Sequence, residues 1–267
     1  MSIRAMSTAA TGMRALSTAV DVISNNIANV NTVGFKKSRA NFADLFYQEL
    51  RASGSQIENG GNIPAPMQVG LGVRVASTQR VFSQGGLQES ERELDLAIEG
   101  AGFFQIQLPA EVGGGMGYTR AGNFGRDQNG RLVTVDGRLV QPAITLPADT
   151  QRIDVNSSGV VSVLQSGQET LSQVGVLELA QFPNLEGLKS IGENLYVETP
   201  ASGSPSTGQP ETAGLGKVRQ GYLETSNVQV VNELVGLIEN QRAFELNSQS
   251  IKAADEMLQV VASLRRS

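Results

Sequence analysis

Apolar residues recur at helical spacing at both ends of this chain and at alternating spacing in its middle. From Met13, the positions Leu16, Val20, Ile23, Ile27 and Val30 follow at intervals of 3, 4, 3, 4 and 3, and Ile3, Met6 and Ala10 extend the stripe backwards. Such alternation draws a narrow apolar seam along one helix face, the geometry of a coiled coil. Gly34, just past Asn31, supplies the expected C′ stop. Near the other end, Leu237, Asn240, Phe244, Asn247, Ile251, Ala254, Leu258 and Val261 repeat the 3-4 alternation, and no Pro follows Pro210. Ser226 and Gln229 have capping-box spacing, which predicts a helix start near Val228. A helix from Val228 to Leu264 would span roughly 55 Å, with Arg265 and Arg266 complementing its C-terminal dipole. Asn240 and Asn247 fall on that seam. A buried amide there would fix register at a cost in stability, whereas one on the seam's wet edge would do little; the sequence leaves both readings open.

Between the ends the period changes to two. Leu94, Leu96 and Ile98 alternate, Gly100-Ala101-Gly102 reads as a turn, and Phe104, Ile106 and Leu108 alternate back. Arg131 to Val140 repeats this around Asp136-Gly137, the signature of a type I′ turn. Ile153–Val155 and Val161–Val163 flank a turn from Asn156 to Gly159, and Val174 to Phe182 reads as one further strand. The stretches Ser53–Met67 and Pro200–Gly216, rich in Gly, Ser and Pro, read as linkers or long loops. The pattern therefore predicts an α+β chain: long N- and C-terminal helices paired as a coiled-coil-like stalk, and a central all-β domain of short antiparallel strands. The expected division is residues 1–34 with 226–267 as paired terminal helices, 35–84 as an extended connector, 85–222 as the β domain and 223–225 as the return linker.

Composition narrows the chemistry. The 267 residues are enough for a sizeable core, and their 40% hydrophobic content fits a soluble protein. Thirty Gly suit hairpins. The net charge of −5 argues against nucleic acid as a partner, since phosphate neutralisation needs clustered Lys and Arg. The one basic cluster, Lys36-Lys37-Ser38-Arg39, reads as a solvated turn. With neither Cys nor His, the chain can build no Cys/His metal site, no Cys nucleophile and no Ser-His-Asp triad. A cysteine-free chain also escapes trapping by disulfides on entering an oxidising compartment. No apolar run approaches the ~18–20 residues that a bilayer span requires. Ser7, Thr8, Thr11 and Arg14 break up any secretory h-region, so no cleaved leader is expected.

The remaining candidate motifs reduce to structure. Gly100-Ala101-Gly102 lacks the rest of a dinucleotide loop. Asp127-Gln128-Asn129-Gly130 lacks the further ligands of a calcium loop. Glu89 with Glu91, or Asp95 with Glu99, could be imagined as glycosidase acids, but charged hairpin faces are common. Asn156-Ser157-Ser158 matches a glycosylation pattern that means little outside a eukaryotic secretory context. No enzyme, cofactor or metal is expected. What remains is architectural: a helix pair is two helices thick, so its outer apolar and Ala-rich faces (Ala5, Ala9, Ala10, Ala15, Ala19, Ala28) need partners. Stacked copies would supply them, and heterologous contacts that do not close give a helical filament.

At this point the residues resemble a family. The segment 21–37, DVISNNIANVNTVGFKK, is similar to the N-terminal signature of bacterial flagellar rod and hook axial proteins, and 240–248, NQRAFELNS, with 254–259, ADEMLQ, to their C-terminal signature. Internally, 94–98 (LDLAI), 102–105 (GFFQ) and 118–122 (YTRAG) resemble the opening of the family's β domain. Within the family the likeness is to the distal-rod member, through 44–48 (DLFYQ), the long insert before 70–73 (GLGV), 190–196 (SIGENLY) and 221–227 (GYLETSN). Gly113-Gly114-Gly115 departs from the shorter Pro-Asp-Gly type turn usual there.

The resemblance implies a structural subunit of a rigid hollow tube, with terminal helices inside and β domains outside, that transmits motor torque to the hook. It implies a homo-oligomeric helical filament joined to proximal-rod proteins and to the hook or hook base. It also implies passage through the P and L rings, and export by the flagellar type III apparatus without a cleaved signal, placing the protein in the basal body from periplasm to outer membrane. The interface residues implied are Met13, Leu16, Val20, Ile23, Ile27 and Val30 on the N-terminal helix and Leu237, Phe244, Ile251, Ala254, Leu258 and Val261 on the C-terminal one. A rod-specific insert at about 46–67, with Phe46, Tyr47, Ile57, Ile63 and Met67, would add contacts that stiffen the rod. Two rivals stand against this: a proximal-rod or hook-like member, which the insert disfavours, and an extracellular hydrolase or glycan-binding module on a helical stalk. The second needs clustered aromatics or carboxylates in a pocket, and the thirteen aromatics are scattered.

Overall fold

The Pro-free ends form the two α-helices among the described residues, α1 (Ser2–Ala28) and α2 (Val230–Leu264). They are seen in a computed structural model that describes residues 2–53, 64–168 and 170–264. α1 stops well before Gly34, because Asn29, Asn31 and Thr32 favour local turns over the helical ladder. Thr32 N donates to Asn29 O at 3.2 Å and Phe35 N to Thr32 O at 3.2 Å, and Val30 lies in this turn, not on the helix. Gly34 has a different task. Its φ is +69°, and a Cβ there would sit 2.5 Å from the backbone nitrogen of Ala121, so only glycine lets the two backbones pass. The predicted capping box is also absent. Ser226 Oγ accepts from Val228 N at 3.3 Å, while the carbonyl of Gln229 accepts the first helical bond from Glu233 N at 3.1 Å.

The chain divides into two units. The first comprises Met1–Ile27, Ser38–Gln79 and Gln229–Ser267; the second comprises Ala28–Lys37 and Arg80–Val228. In the first, α1 and α2 run antiparallel: Gly12 lies against Asn247, Ile23 against Gly236 and Asn26 against Glu233. The chain between them forms two nested strand pairs. β1 (Ser38–Asp44) pairs with β4 (Val73–Arg80), and β2 (Tyr47–Arg51) pairs with β3 (Met67–Gly70), setting Tyr47 opposite Gly70 and Arg51 opposite Met67.

The second unit is built from short antiparallel strands. They begin with β5 (Leu87–Glu89), β6 (Leu96–Glu99), β7 (Phe103–Gln107) and β8 (Met116–Thr119). β7 is central: Phe104 faces Thr119 of β8 on one side and Leu179 of strand Leu179–Gln181 on the other, and Val140 pairs with Ile106. Alternation along β7 feeds two cores. Phe104 and Ile106 join Leu96, Ile98, Leu177 and Val163 on one face, while Phe103 joins Tyr118, Phe182 and Tyr196 on the other. In the second cluster Tyr118 and Phe182 meet edge-to-face at 4.7 Å.

Several sequence expectations are corrected here. Gly100–Gly102 does not close a hairpin. β6 instead pairs with Lys217–Gln220, Ile98 opposite Val218. The returning chain comes so close that Gly216 N donates to Ala101 O at 2.6 Å, and a Cβ on Gly100 would lie 2.9 Å from Gly216 Cα. The hairpin at Asp136-Gly137 forms, but its turn is not type I′. Only Gly137 has positive φ, Gly137 N bonds Thr134 O, and Thr134 N bonds Arg138 O. The same turn recurs at Asn156–Gly159 and at Asp127–Gly130, where the Asp127 carboxylate is taken up by Asn129 N, Arg131 N and Arg131 Nε. A hairpin turn with positive φ at both central residues is found instead at Glu193-Asn194, between Gly192 and Leu195. The single strand expected from Val174 to Phe182 is two. Ser172–Val176 pairs with Val160–Gln165, and after fully buried Leu177 the chain changes sheet to lay Leu179–Gln181 beside β7. The loop Pro200–Gly216 lends Ser206–Gly208 to the same sheet. Ile153–Val155 and Val161–Val163, expected to flank the turn at Asn156–Gly159, pair across it with Ile153 opposite Val163.

A buried ionic cluster fastens the stretches by which the chain enters and leaves this unit. Glu224 Oε1 accepts from Lys36 Nζ at 2.5 Å and from Gly85 N at 2.8 Å, its Oε2 lies 3.4 Å from Arg120 Nη1, and its backbone carbonyl accepts from Gly34 N. The Lys36 and Glu224 side chains are both fully buried. Lys36 also donates to Ser83 O, and Arg120 to Gly100 O. Burial pushes the Lys36 ammonium below its usual range against the raising pull of Glu224, and it lowers the Arg120 guanidinium in the same way. Lys36 is thus a central ion-pair residue, not the solvated turn expected of its basic cluster.

Glu224→Gln would leave two buried cations with no counter-charge and should lower unfolding free energy by about 3–5 kcal/mol. Lys36→Met, which leaves Glu224 with Arg120, should cost less. Chemical denaturation followed by tyrosine fluorescence checks the order, and equal losses would refute the carboxylate as the hub. Burial also raises the Tyr196 phenol above 10.0. The folded state then holds that proton more tightly than the unfolded chain, so stability falls as pH rises from 10.0 through the folded value. The opposite shift of Lys36 acts in both proteins, so in alkaline denaturation series Tyr196→Phe should lose stability less steeply than the unmodified chain.

Candidate subunit interface

Within the first unit the most buried apolar positions along the helices are small. On α1 the buried residues are Ala9, Ala15, Ala19 and Asn26, while Met13, Leu16, Val20, Ile23 and Ile27 are half-buried. On α2, Ala254 is buried, Leu237, Ile251 and Leu258 are half-buried, and Phe244 is exposed at 43%. The side chain of Val261 lies outside the described residues, as do Ile57 and Ile63 of the insert. Asn240 and Asn247 each donate to the carbonyl four residues back on their own helix, Gly236 at 2.7 Å and Ala243 at 2.9 Å. Asn247 also packs on Gly12, where a Cβ would come within 3.4 Å of its amide.

Two polar residues outside the candidate set hold the helices together. Asn26 Nδ2 donates to Glu233 Oε2 at 3.1 Å and to Ser38 O at 2.8 Å, and Asn26 Oδ1 accepts from Ser38 N at 2.9 Å. Both side chains are buried. The available signal was Asn26 itself: a poor helix former, a heptad on from Ala19. Arg4 Nη1 reaches Gln48 Oε1 at 2.8 Å, tying β2 to the start of α1.

A large apolar surface of this unit is left open. Phe46 is 88% exposed, and Tyr47, Leu50, Met67, Val69 and Leu71 around the β2–β3 pair are exposed as well. α2 carries a second apolar stripe, off the seam, through Val231, Val235, Ile238, Leu246, Met257 and Val260, all exposed. Large apolar side chains exposed together on one strand pair and along one helix face make this unit the candidate interaction surface. Among the described residues no cluster of acidic groups is arranged to hold a metal ion, and no helix is long and apolar enough to cross a membrane.

Comparison with known proteins places these features. Residues 6–36 match the flagella basal body rod protein family, 97–163 the flagellar hook protein FlgE/F/G D1 domain, and 219–264 the flagellar basal body rod FlgEFG protein C-terminal family. The chain is 48% identical to the flagellar basal-body rod protein FlgG of Caulobacter vibrioides, over 98% of this chain and 100% of that one. It is 47% identical to FlgG of Buchnera aphidicola from Acyrthosiphon pisum, over 95% and 96%, and 43% identical to FlgG of Borreliella burgdorferi, over 99% of each. Among solved structures, the hook protein FlgE2 of Helicobacter pylori is 17% identical over 71% of this chain and 43% of its own, with a TM-score of 0.25, too low to bear on the fold. With full-length identity well above the level at which families diverge, and with rod-family matches at both helices, the chain belongs to the FlgG family of flagellar basal-body rod proteins.

Proposed function

We propose that this chain is a structural subunit of the flagellar rod that polymerises with copies of itself through its two terminal helices and the β2–β3 pair. The observation that carries this reading is the apolar surface of the first unit, with Phe46 at 88% exposure and the outer stripe of α2 uncovered. Burying such surface contributes roughly 25 cal/mol per Å², so many modest contacts repeated along a lattice give a stiff assembly.

In this reading the helices pair as a coiled coil along Met13, Leu16, Val20, Ile23 and Ile27 and along Leu237, Phe244, Ile251, Ala254 and Leu258. Their small buried residues (Ala9, Ala15, Ala19 and Ala254) allow the close approach that a packed helical layer needs. Residues 1–34 and 226–267 act as the polymerising part and 85–222 as the β domain. Residues 46–67 supply additional contacts between copies. The same reading places the subunit in the distal rod, carrying torque from the proximal rod to the hook through the P and L rings, after export by the type III apparatus. The role is mechanical, and no residue is assigned to catalysis.

Ile23→Asp and Leu258→Asp each put a charge on the seam without touching the β unit. Both should abolish filaments in electron micrographs while near-ultraviolet circular dichroism of the tyrosines stays unchanged. Filaments of normal length from either variant would refute the seam.

A further inference from the structure

The first unit contains an open groove of about 580 Å³, walled by α1, α2 and the strand pairs. Its lining is mostly apolar, with Leu16, Phe42, Val73 and Ala243 on its sides and Asn247 contributing a carboxamide. Glycines give it its width. Gly12 interrupts α1 where any side chain would project toward Asn247, and Gly72, at φ +124°, lets the backbone come so close that a Cβ would strike Thr11 Oγ1. A glycine inside a helix is less favourable than alanine, and at Gly12 the missing side chain leaves the room that Asn247 approaches.

We propose that this groove receives the Phe46 side chain of a second copy of the chain. The inference rests on the polymerisation reading above and adds to it a named knob and a named hole. Three observations select the occupant. Phe46 is the most exposed large apolar side chain among the described residues, and a phenyl ring delivers the largest burial per residue available there. Its backbone is held: Phe46 O accepts from Leu71 N at 3.2 Å, and neighbouring Leu45 N donates to Gly72 O at 2.8 Å. The backbone that presents the ring is therefore already held before binding, so less of it remains to be ordered. The groove is also continuous with the proposed interface, because Leu16 belongs to the α1 seam and Ala243 and Asn247 to α2. Tyr47 is less exposed than Phe46, at 57%, and its ring lies over Gly70 of its own copy, where an added Cβ would come within 3.4 Å of it. One knob and one different hole per copy make a heterologous contact that propagates from copy to copy.

The test replaces Phe46 with the photo-crosslinking residue p-benzoylphenylalanine in the full chain, mixes isotopically heavy and light copies, assembles filaments and irradiates them. The expected result is heavy–light crosslinks that map by mass spectrometry to residues 12–16, 73 or 243–247. Crosslinks within one copy, or to other residues, overturn the proposal while leaving polymerisation intact. Absence of filaments from the unmodified chain at any concentration overturns both readings. A second variant, Gly12→Leu, fills the groove with a better helix former. It should raise the concentration needed for assembly about tenfold or more, as loss of some 1.4 kcal/mol of contact requires, with helix content unchanged by far-ultraviolet circular dichroism. Assembly at the unmodified concentration overturns the proposal.

Discussion

The Glu224 carboxylate is the interaction on which the second unit's boundary depends. It lies buried between Lys36 and Arg120 and binds Gly85 N, while its backbone carbonyl binds Gly34 N. Residues far apart in sequence, 34–36, 83–85, 120 and 224, are thereby held in one small volume. Ionic clusters of this kind contribute little net stability compared with apolar packing, but they tolerate only one arrangement, because any other leaves a charge dry and unpaired. Asn227 repeats the device beside it, accepting from Lys37 N and donating to Val81 O. The cluster thus specifies where the chain crosses from one unit to the other more than how strongly the β unit folds.

The two units use apolar residues in opposite ways. In the second, Phe104, Ile106, Leu177, Leu179 and Val163 are wholly buried, and the unit's core closes on itself. In the first, the buried positions of both helices are chiefly Ala, while Phe46, Val231, Leu246 and Met257 stand in solvent. A unit that closed its own core would have nothing to offer a neighbour. The exposed apolar surface thus belongs to the first unit and the closed core to the second.

The helices, the β character of the middle and the family were legible in the sequence because each is a local pattern: a 3-4 stripe, a 2-period alternation, an unbroken run of signature residues. What failed was whatever depended on distant chain. Gly100-Ala101-Gly102 reads locally as a hairpin, yet its glycines are there for Gly216, which passes close by. Lys36 reads as one member of a surface cluster, since nothing within the segment announces Glu224. The strand Val174–Phe182 looks continuous because both halves are apolar; only the presence of two sheets over a common core, with Leu177 between them, divides it. At the candidate interface, Phe46, Tyr47 and Met67 were named through family likeness and are exposed, whereas the Asn26–Glu233 pair was not named, because a buried polar contact leaves no periodic trace.

That pair also bears on how two such helices keep their register. Seams lined by Ala and Gly are smooth, and Ala9, Ala15, Ala19, Gly12, Gly236 and Ala254 offer few side chains large enough to lock one position against the next. Moving α2 along α1 by one turn would separate Asn26 from Glu233 and break a hydrogen bond between two buried side chains, one of them a carboxylate, at about 1.5–3 kcal/mol. Asn26 is in turn fixed to both the N–H and the C=O of Ser38, the first residue of β1. The amide therefore references both helices to the same point of the strand pairs, and with them the position of Phe46 relative to the groove. The polar pair sets the geometry, and the apolar surfaces supply the attraction.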